Sequence, residues 1–535
     1  MSRLTSVFSQ KTGSNQKLKE NHSEVSNFRL MFDSLRLAMI FAPIAAILTN
    51  AIENQHADNI NNSLYSTDNL TFQQWNADRL GNLVAIVSWP FQNLEINLKV
   101  QVLIRILSSL FLIIWIAKIV SRLYNASNRL VLAMLIPTVC LFISKYPEAG
   151  DTTLYGVAPQ SIAGIVIVAA LSSVLPKIES TNLIAKWLAF CFVNQLLWIV
   201  VGWLSILWLM RAPALILLML FYLLKTGKIQ NQKEAIQVGA AHSTFVVIAF
   251  MVISSYLSGV GENTSFQTST IWFDIRHTTY IWSYLVLILS LSVLALVLQR
   301  TAVAGIIALA SLYLVLSTVL VVGIDHIHDN LLDPRYFSMG YLVSITVACS
   351  GVFAVLSNFL ERLNIGNRLP SLWVYKALGI TIAVISTWTF FHSEVGFGDN
   401  STNVHGHNKT GTVLDPGVYE SLSKDHKIEF VAGGFWDVWP TVWLWRSEGI
   451  DILGLIPPGQ KQKKFESLLD GEEHKGVCFN TTVENCVQTI NIFEDYGVTF
   501  NSDKIKFTVQ VGEELSSSLS SVQMFIVNVK SEKVD

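Results

Sequence analysis

The chain has 535 residues, of which 51% are hydrophobic and 14% charged, with a mean hydropathy of +0.45 and a formal net charge of −2. Soluble domains carry about 25% charged residues, so this composition excludes an ordinary soluble protein. It describes a polytopic membrane protein, and the slight negative balance argues against nucleic acid as a partner.

Residues 1–35 are polar and mildly basic and read as a cytoplasmic tail. The first apolar run, 36–51, has no convincing small-residue cleavage site and reads as a retained first helix. About eleven runs approach the length of a spanning helix: 36–51, 101–121, 129–145, 158–175, 183–201, 203–224, 240–258, 279–298, 301–322, 338–357 and 373–391. Lys118, Arg122 and Arg129, then Lys177 and Lys186, then Lys225, Lys228 and Lys233, then Arg300, then Arg362, Arg368 and Lys376 all fall on the side of the N-terminal tail. The excess of basic residues makes that side cytoplasmic.

The opposite side opens with the polar segment 52–98. It carries Glu53, Asp58, Asp68 and Asp78 with a single basic residue, Arg79. A connection of this length tends to be functional, and it reads as part of an active site on the outer face. Asp78, just ahead of a short apolar stretch that fits the membrane interface, can act as general base on an acceptor hydroxyl. Arg79 would hold it or bind a phosphate. A surface helix with an acid near its start accounts for the same pattern.

Later outer segments are also acidic. Glu148 and Asp151 flank a glycine in the next outer loop and are further acid/base candidates, or residues of a solvated turn. Asp325, His326, His328 and Asp329 have the donor density of a metal site without its spacing, and no metal is predicted. Arg335, followed by Tyr336, is placed to pair with a lipid phosphate or to anchor at the interface. Arg211 lies well inside an apolar run with Pro213 two residues on. A charge there is expensive, so it reads as a phosphate ligand or as a buried structural pair.

Residues 392–535 read as a soluble extracytoplasmic α/β domain behind a Gly/Asn/His-rich linker, with strands at IEFVAGG, IDILGLI, KIKFTVQV and SVQMFIVNV. Trp436, Trp439 and Trp443 recur at helical spacing, which favours a packed face. Asp437 and Trp439 are retained as acceptor ligands, because a tryptophan face stacks on a sugar and a nearby acid accepts its hydroxyls. A tail outside the cytosol would let Cys478 and Cys486 pair as a disulfide. Cys140, Cys191 and Cys349 fall in apolar runs and read as small core residues. No Gly-rich phosphate loop with lysine, no zinc-protease helix and no nucleophile elbow occurs.

The layout of about eleven spans, an inside N-terminus, an acidic first outer loop and an outer C-terminal domain resembles the GT-C superfamily of membrane glycosyltransferases, in an uncharacterised bacterial branch. The stretch Asn76-Ala77-Asp78-Arg79-Leu80-Gly81 is similar to the D-E-x-R-Y-A-like stretch of that loop, with the acid displaced and the tyrosine missing. Asp333-Pro334-Arg335-Tyr336-Phe337 resembles the P-R-Y segment before a late span, and Phe435-Trp436-Asp437-Val438-Trp439-Pro440 looks like a segment of the bacterial members. The resemblance implies inverting transfer of a sugar from a polyprenyl-phosphate donor to a glycan, lipid or protein acceptor on the outer side of a bacterial inner membrane. Asp78 would then be the preferred base, with Asp68 or Asp58 as fallbacks because of the displaced acid, and Arg335, Arg211 or both on the departing phosphate, and no cofactor or metal is required. A transporter or lipid flippase, or an envelope-assembly scaffold, is the competing expectation. The clustering of acids in loops on one face, without repeated halves, favours surface chemistry over transport.

Overall fold

The computed structural model describes residues 27–49, 51–52, 57–68, 70, 83–124, 126–145, 162, 164–166, 183–204, 206–225, 229, 232–258, 307–308, 310–315, 338–362, 372–395, 413–456, 462–495, 499–500, 503–515 and 523–534. The apolar region contains α1 (Asn27–Leu48), α4 (Leu94–Leu123), α5 (Asn128–Lys145), α6 (Leu183–Leu204), α7 (Ile206–Lys225), α8 (Gln232–Ser258), α9 (Ser338–Arg362) and α10 (Leu372–His392). Two short helices, α2 (Ala57–Thr67) and α3 (Leu83–Ser88), stand between α1 and α4. Among the described residues, five helices are long and apolar enough to cross a membrane: Arg29–Leu48, Leu94–Leu123, Ile184–Leu204, Lys233–Ser255 and Leu342–Phe359. They match the expected spans 36–51, 101–121, 183–201, 240–258 and 338–357. The runs 129–145, 203–224 and 373–391 are helical as α5, α7 and α10. The expected spans at 158–175, 279–298 and 301–322 fall largely outside the described residues.

Lipid-facing stripes follow from the helical period. Ile184, Leu188 and Phe192 recur every four residues along α6 and are 77%, 66% and 71% exposed. Side chains four apart share one helix face, and such a stripe is stable against hydrocarbon. By contrast, α4 is the central helix. Its 30 residues span about 45 Å at 1.5 Å each, against a hydrocarbon core of about 30 Å. Its N-cap is Asn93, whose side chain accepts from Ile96 N at 3.0 Å, with Glu95 in the first turn and Arg122 in the last. α1, α2 and α9 all pack on it.

The C-terminal region contains α11 (Pro416–Asp425), β1 (Ile428–Gly433), α12 (Phe435–Ser447), β2 (Leu453–Gly454), a 3-10 helix (Lys463–Leu469), β3 (Glu473–Phe479), α13 (Val483–Asp495), β4 (Thr499–Phe500), β5 (Asp503–Leu515) and β6 (Met524–Val534). The strands form one sheet in the order β2-β1-β3-β6-β5-β4. β1 runs parallel to β2 and β3, and the remaining pairs are antiparallel. One face packs against α11 and α12 through Leu422, Val438, Trp439, Val442 and Trp445. The other packs against Phe465, Leu468, Cys486 and Ile490 of the 3-10 helix and α13.

The core on the α12 face does not end at the tail. Ile60 and Leu64 of α2 and Leu98 of α4 are buried in the same cluster as Val438, Trp439 and Val442. The segment between α1 and α4 and the α/β region are therefore joined by a continuous hydrophobic core.

Cys478 at the end of β3 and Cys486 in α13 form a disulfide, with both residues fully buried. Closing so short a loop stabilises by about 2–3 kcal/mol in the chain-entropy view. Replacing both cysteines by serine should lower the denaturant stability of the tail by that amount, read from the urea midpoint at unchanged slope.

Candidate functional site

The segment between α1 and α4 meets the tail at a cleft of about 510 Å³ lined by Asp68, Arg446, Gly449, Ile450, Asp451, Lys463 and Lys464. That volume is within the range of small-molecule sites, about 300–1,000 Å³. Asp68 follows the last residue of α2, where the backbone N–H of Asp68 still donates to Leu64 O at 2.9 Å. Arg446 lies in the last turn of α12, where a cation complements the helix dipole. The helix then stops through Gly449, at φ +84°, with Gly449 N donating to Arg446 O and Ile450 N to Trp445 O. A left-handed glycine just past the end is a common helix terminator.

Each nitrogen of Arg446 has a partner. Nε donates to Ile452 O at 2.8 Å, Nη2 to Gln462 Oε1 at 3.0 Å, and Nη1 to Asp68 Oδ2 at 3.3 Å. The Arg446 and Asp68 side chains are each only 14% exposed. Gln462 is fixed in turn by donating Nε2 to Gly454 O at 2.9 Å. Lys464 pairs with Asp451, at 3.2 Å to the carboxylate and 2.6 Å to the carbonyl. Lys463 at the mouth is exposed. The cleft thus presents the Asp68 carboxylate paired with a fixed guanidinium, with Asp451 and two lysines beside it. It can accept a proton from a hydroxyl and attract an anionic group.

α2 is held by a buried polar network. Ser66 Oγ donates to Ala85 O at 2.8 Å, Asn97 Nδ2 to Ser66 Oγ at 3.0 Å, and Gln101 Nε2 to Asn62 O at 3.1 Å. These bonds tie α2 to α3 and α4, so Asp68 stands on a rigid support.

Among the predicted site residues, the structure brings Asp68 into this cleft. Asp78, Arg79, Glu148, Asp151, Arg335 and Tyr336 lie outside the described residues, as does the Asp325–Asp329 segment. Asp58 belongs to α2, and its side chain is outside the described set. Arg211 is in α7, 1% exposed, with its guanidinium carbon 5.6 Å from the Trp208 ring centroid. Asp437 is near the start of α12, nine residues from Arg446 and so about 14 Å along the helix; it does not share the cleft. Its Oδ1 accepts from Asn480 Nδ2 at 2.9 Å. Trp439 is fully buried in the core, so the reading of it as a sugar platform does not fit: no ring face is available to a ligand. Arg446, Gln462, Lys463 and Lys464 were not singled out from the sequence. The signal was an arginine three residues ahead of a helix-ending glycine and the run Lys461-Gln462-Lys463-Lys464. Among the described residues no group of three His, Cys, Asp or Glu is arranged to hold a metal.

A second polar cluster sits at the start of β1 and β3. His474 Nδ1 pairs with Glu429, and its Nε2 is 2.9 Å from Asp470 Oδ1. Burial disfavours the imidazolium, but the bonds to Glu429 and Asp470 outweigh it and raise the His474 pKa above its ordinary value. A raised folded pKa gives stability that is complete below the unfolded value of about 6.5 and lost as pH climbs through the folded value. For Glu429 burial opposes the charge, yet the bonds from Lys427 and His474 lower its pKa. That contribution is present above the unfolded carboxylate value and lost on acidification. The tail should therefore be most stable between the two windows. NMR titration should place His474 above about 6.5, and His474→Gln should remove the alkaline part of the dependence.

Comparison of the chain with protein-family models, with curated proteins and with solved structures gives no match.

Proposed function

We propose that the chain is a membrane glycosyltransferase that moves a sugar from a polyprenyl-phosphate donor to a glycan, lipid or protein acceptor on the outer side of the membrane. One observation carries the reading: Asp68, of the segment between α1 and α4, pairs with Arg446 at 3.3 Å in a cleft lined by Lys463 and Lys464 and closed by the tail. An acid on a fixed support, beside positive charge, suits removal of a proton from an acceptor hydroxyl while negative charge builds on a departing phosphate. Asp68 is assigned as the base, with Asp78 as the alternative acid of the same segment. Arg446 is a positioning residue, and Arg211 and Arg335 are the candidates for the donor phosphate. The Cys478–Cys486 disulfide supports an extracytoplasmic tail, because such bonds persist in oxidising compartments. With the basic loops inside, that favours a bacterial inner membrane with a periplasmic tail.

The test is to incubate the purified protein with native lipid extract and follow polyprenyl-phosphate sugars by mass spectrometry. Consumption of one such lipid with release of polyprenyl phosphate supports the reading. Movement of a lipid across vesicles without sugar transfer would replace it with a flippase.

A further inference from the structure

The short helix α3 and the turn after it are inside-out for a surface facing water. Val87, Trp89 and Phe91 are 50%, 53% and 43% exposed, and Ile96 in the first turn of α4 is 44% exposed. Three polar residues beneath them face inward: Ser88, Asn97 and Gln101 are fully buried, while Gln92, Asn93 and Glu95 at the edge of the patch are exposed. Asn97 Nδ2 donates to the carbonyls of Ser88 and Phe91, each at 2.9 Å. Gln101 Nε2 donates to Ser88 Oγ at 3.0 Å and to Asn97 Oδ1 at 2.8 Å. Hiding a hydroxyl and two amides while showing valine, tryptophan, phenylalanine and isoleucine is favourable where the surroundings are themselves apolar.

The height of this patch relative to the spans is fixed by one bond. Lys99 Nζ donates to Phe391 O at 2.9 Å, at the end of α10. The exposed stripe of α10, Ile380, Val384 and Trp388, is 55%, 63% and 68% exposed and ends one turn from that carbonyl. Lys99 is thus level with the end of a lipid-facing helix. Ile96 precedes it by three residues, about 4.5 Å along α4. The headgroup layer extends roughly 5–8 Å beyond the hydrocarbon on each side. The patch falls within that layer, where tryptophan is enriched.

We propose that α3, the turn after it and Ile96 form an interfacial anchor whose partner is the lipid surface on the tail's side of the bilayer. The anchor is bonded to α2 through Ser66 and Ala85, and α2 leads into Asp68. It therefore sets the height of the cleft above the membrane. The proposal requires only that the protein is membrane-embedded and is independent of sugar transfer.

The full chain is placed in phosphatidylcholine nanodiscs, with and without bromine near the headgroup end of the acyl chains. Subtracting the fluorescence of Trp89→Phe from the native signal isolates Trp89, and Trp388→Phe isolates a lipid-facing reference. Bromine should quench the Trp89 component at least about half as strongly as the Trp388 component. Weaker quenching overturns the proposal, with aqueous iodide then expected to be the effective quencher. Should Trp89→Phe fail to fold, Phe91→Trp adds a reporter to the same turn and is read by the same criterion.

Discussion

Replacing Arg446 by methionine should lower the stability of the tail by about 3 kcal/mol, because it leaves a mostly buried carboxylate and amide without their donor. Asp68, Gln462 and Ile452 O all lose a bond at once. The loss should appear in the urea midpoint followed by tryptophan fluorescence. Arg446→Lys should recover little of it, since a point charge cannot reproduce a planar fork aimed at three acceptors. A double-mutant cycle with Asp68→Asn separates the pair from its surroundings. If the two substitutions add without coupling, Asp68 and Arg446 do not act together across the junction.

The second large effect is expected in the core. Trp439 is fully buried between α12 and the sheet, and the space above Gly454 is filled by its ring: a methyl group there would lie 2.9 Å from Trp439 Cζ3. Truncation to alanine should cost about 3–5 kcal/mol, through lost burial and the cavity left behind. It should also loosen α2, because Ile60 and Leu64 belong to the same cluster. Hydrogen exchange should rise at both α12 and α2 in Trp439→Ala. Exchange confined to the tail would contradict the shared core.

The membrane class of the chain and five helices long and apolar enough to cross a membrane were legible in the sequence, because a 20-residue apolar run states its own requirement: backbone groups in lipid must be paired within the helix. The α/β character of the tail was legible from short β-branched runs, and the Trp436, Trp439, Trp443 spacing already favoured a packed face. The cleft was not legible. Asp68 and Arg446 are 378 residues apart, and nothing in a local pattern states that one end of α2 meets one end of α12. The pairing is a consequence of tertiary docking through Ile60, Leu64 and Leu98. The inside-out character of α3 was partly visible as an apolar stretch too short to span. The burial of Ser88 and Asn97 that decides its orientation is a three-dimensional fact.

The most direct measurement of the central claim takes turnover and thermal stability from one preparation of Asp68→Asn beside the native protein. Polyprenyl phosphate release and sugar transfer are followed by mass spectrometry on both. If Asp68 removes the acceptor proton, turnover should fall by about 100-fold or more, while the unfolding midpoint moves by only a few degrees, since asparagine still accepts a hydrogen bond from Arg446. Native turnover in Asp68→Asn, with the protein folded, would contradict the assignment.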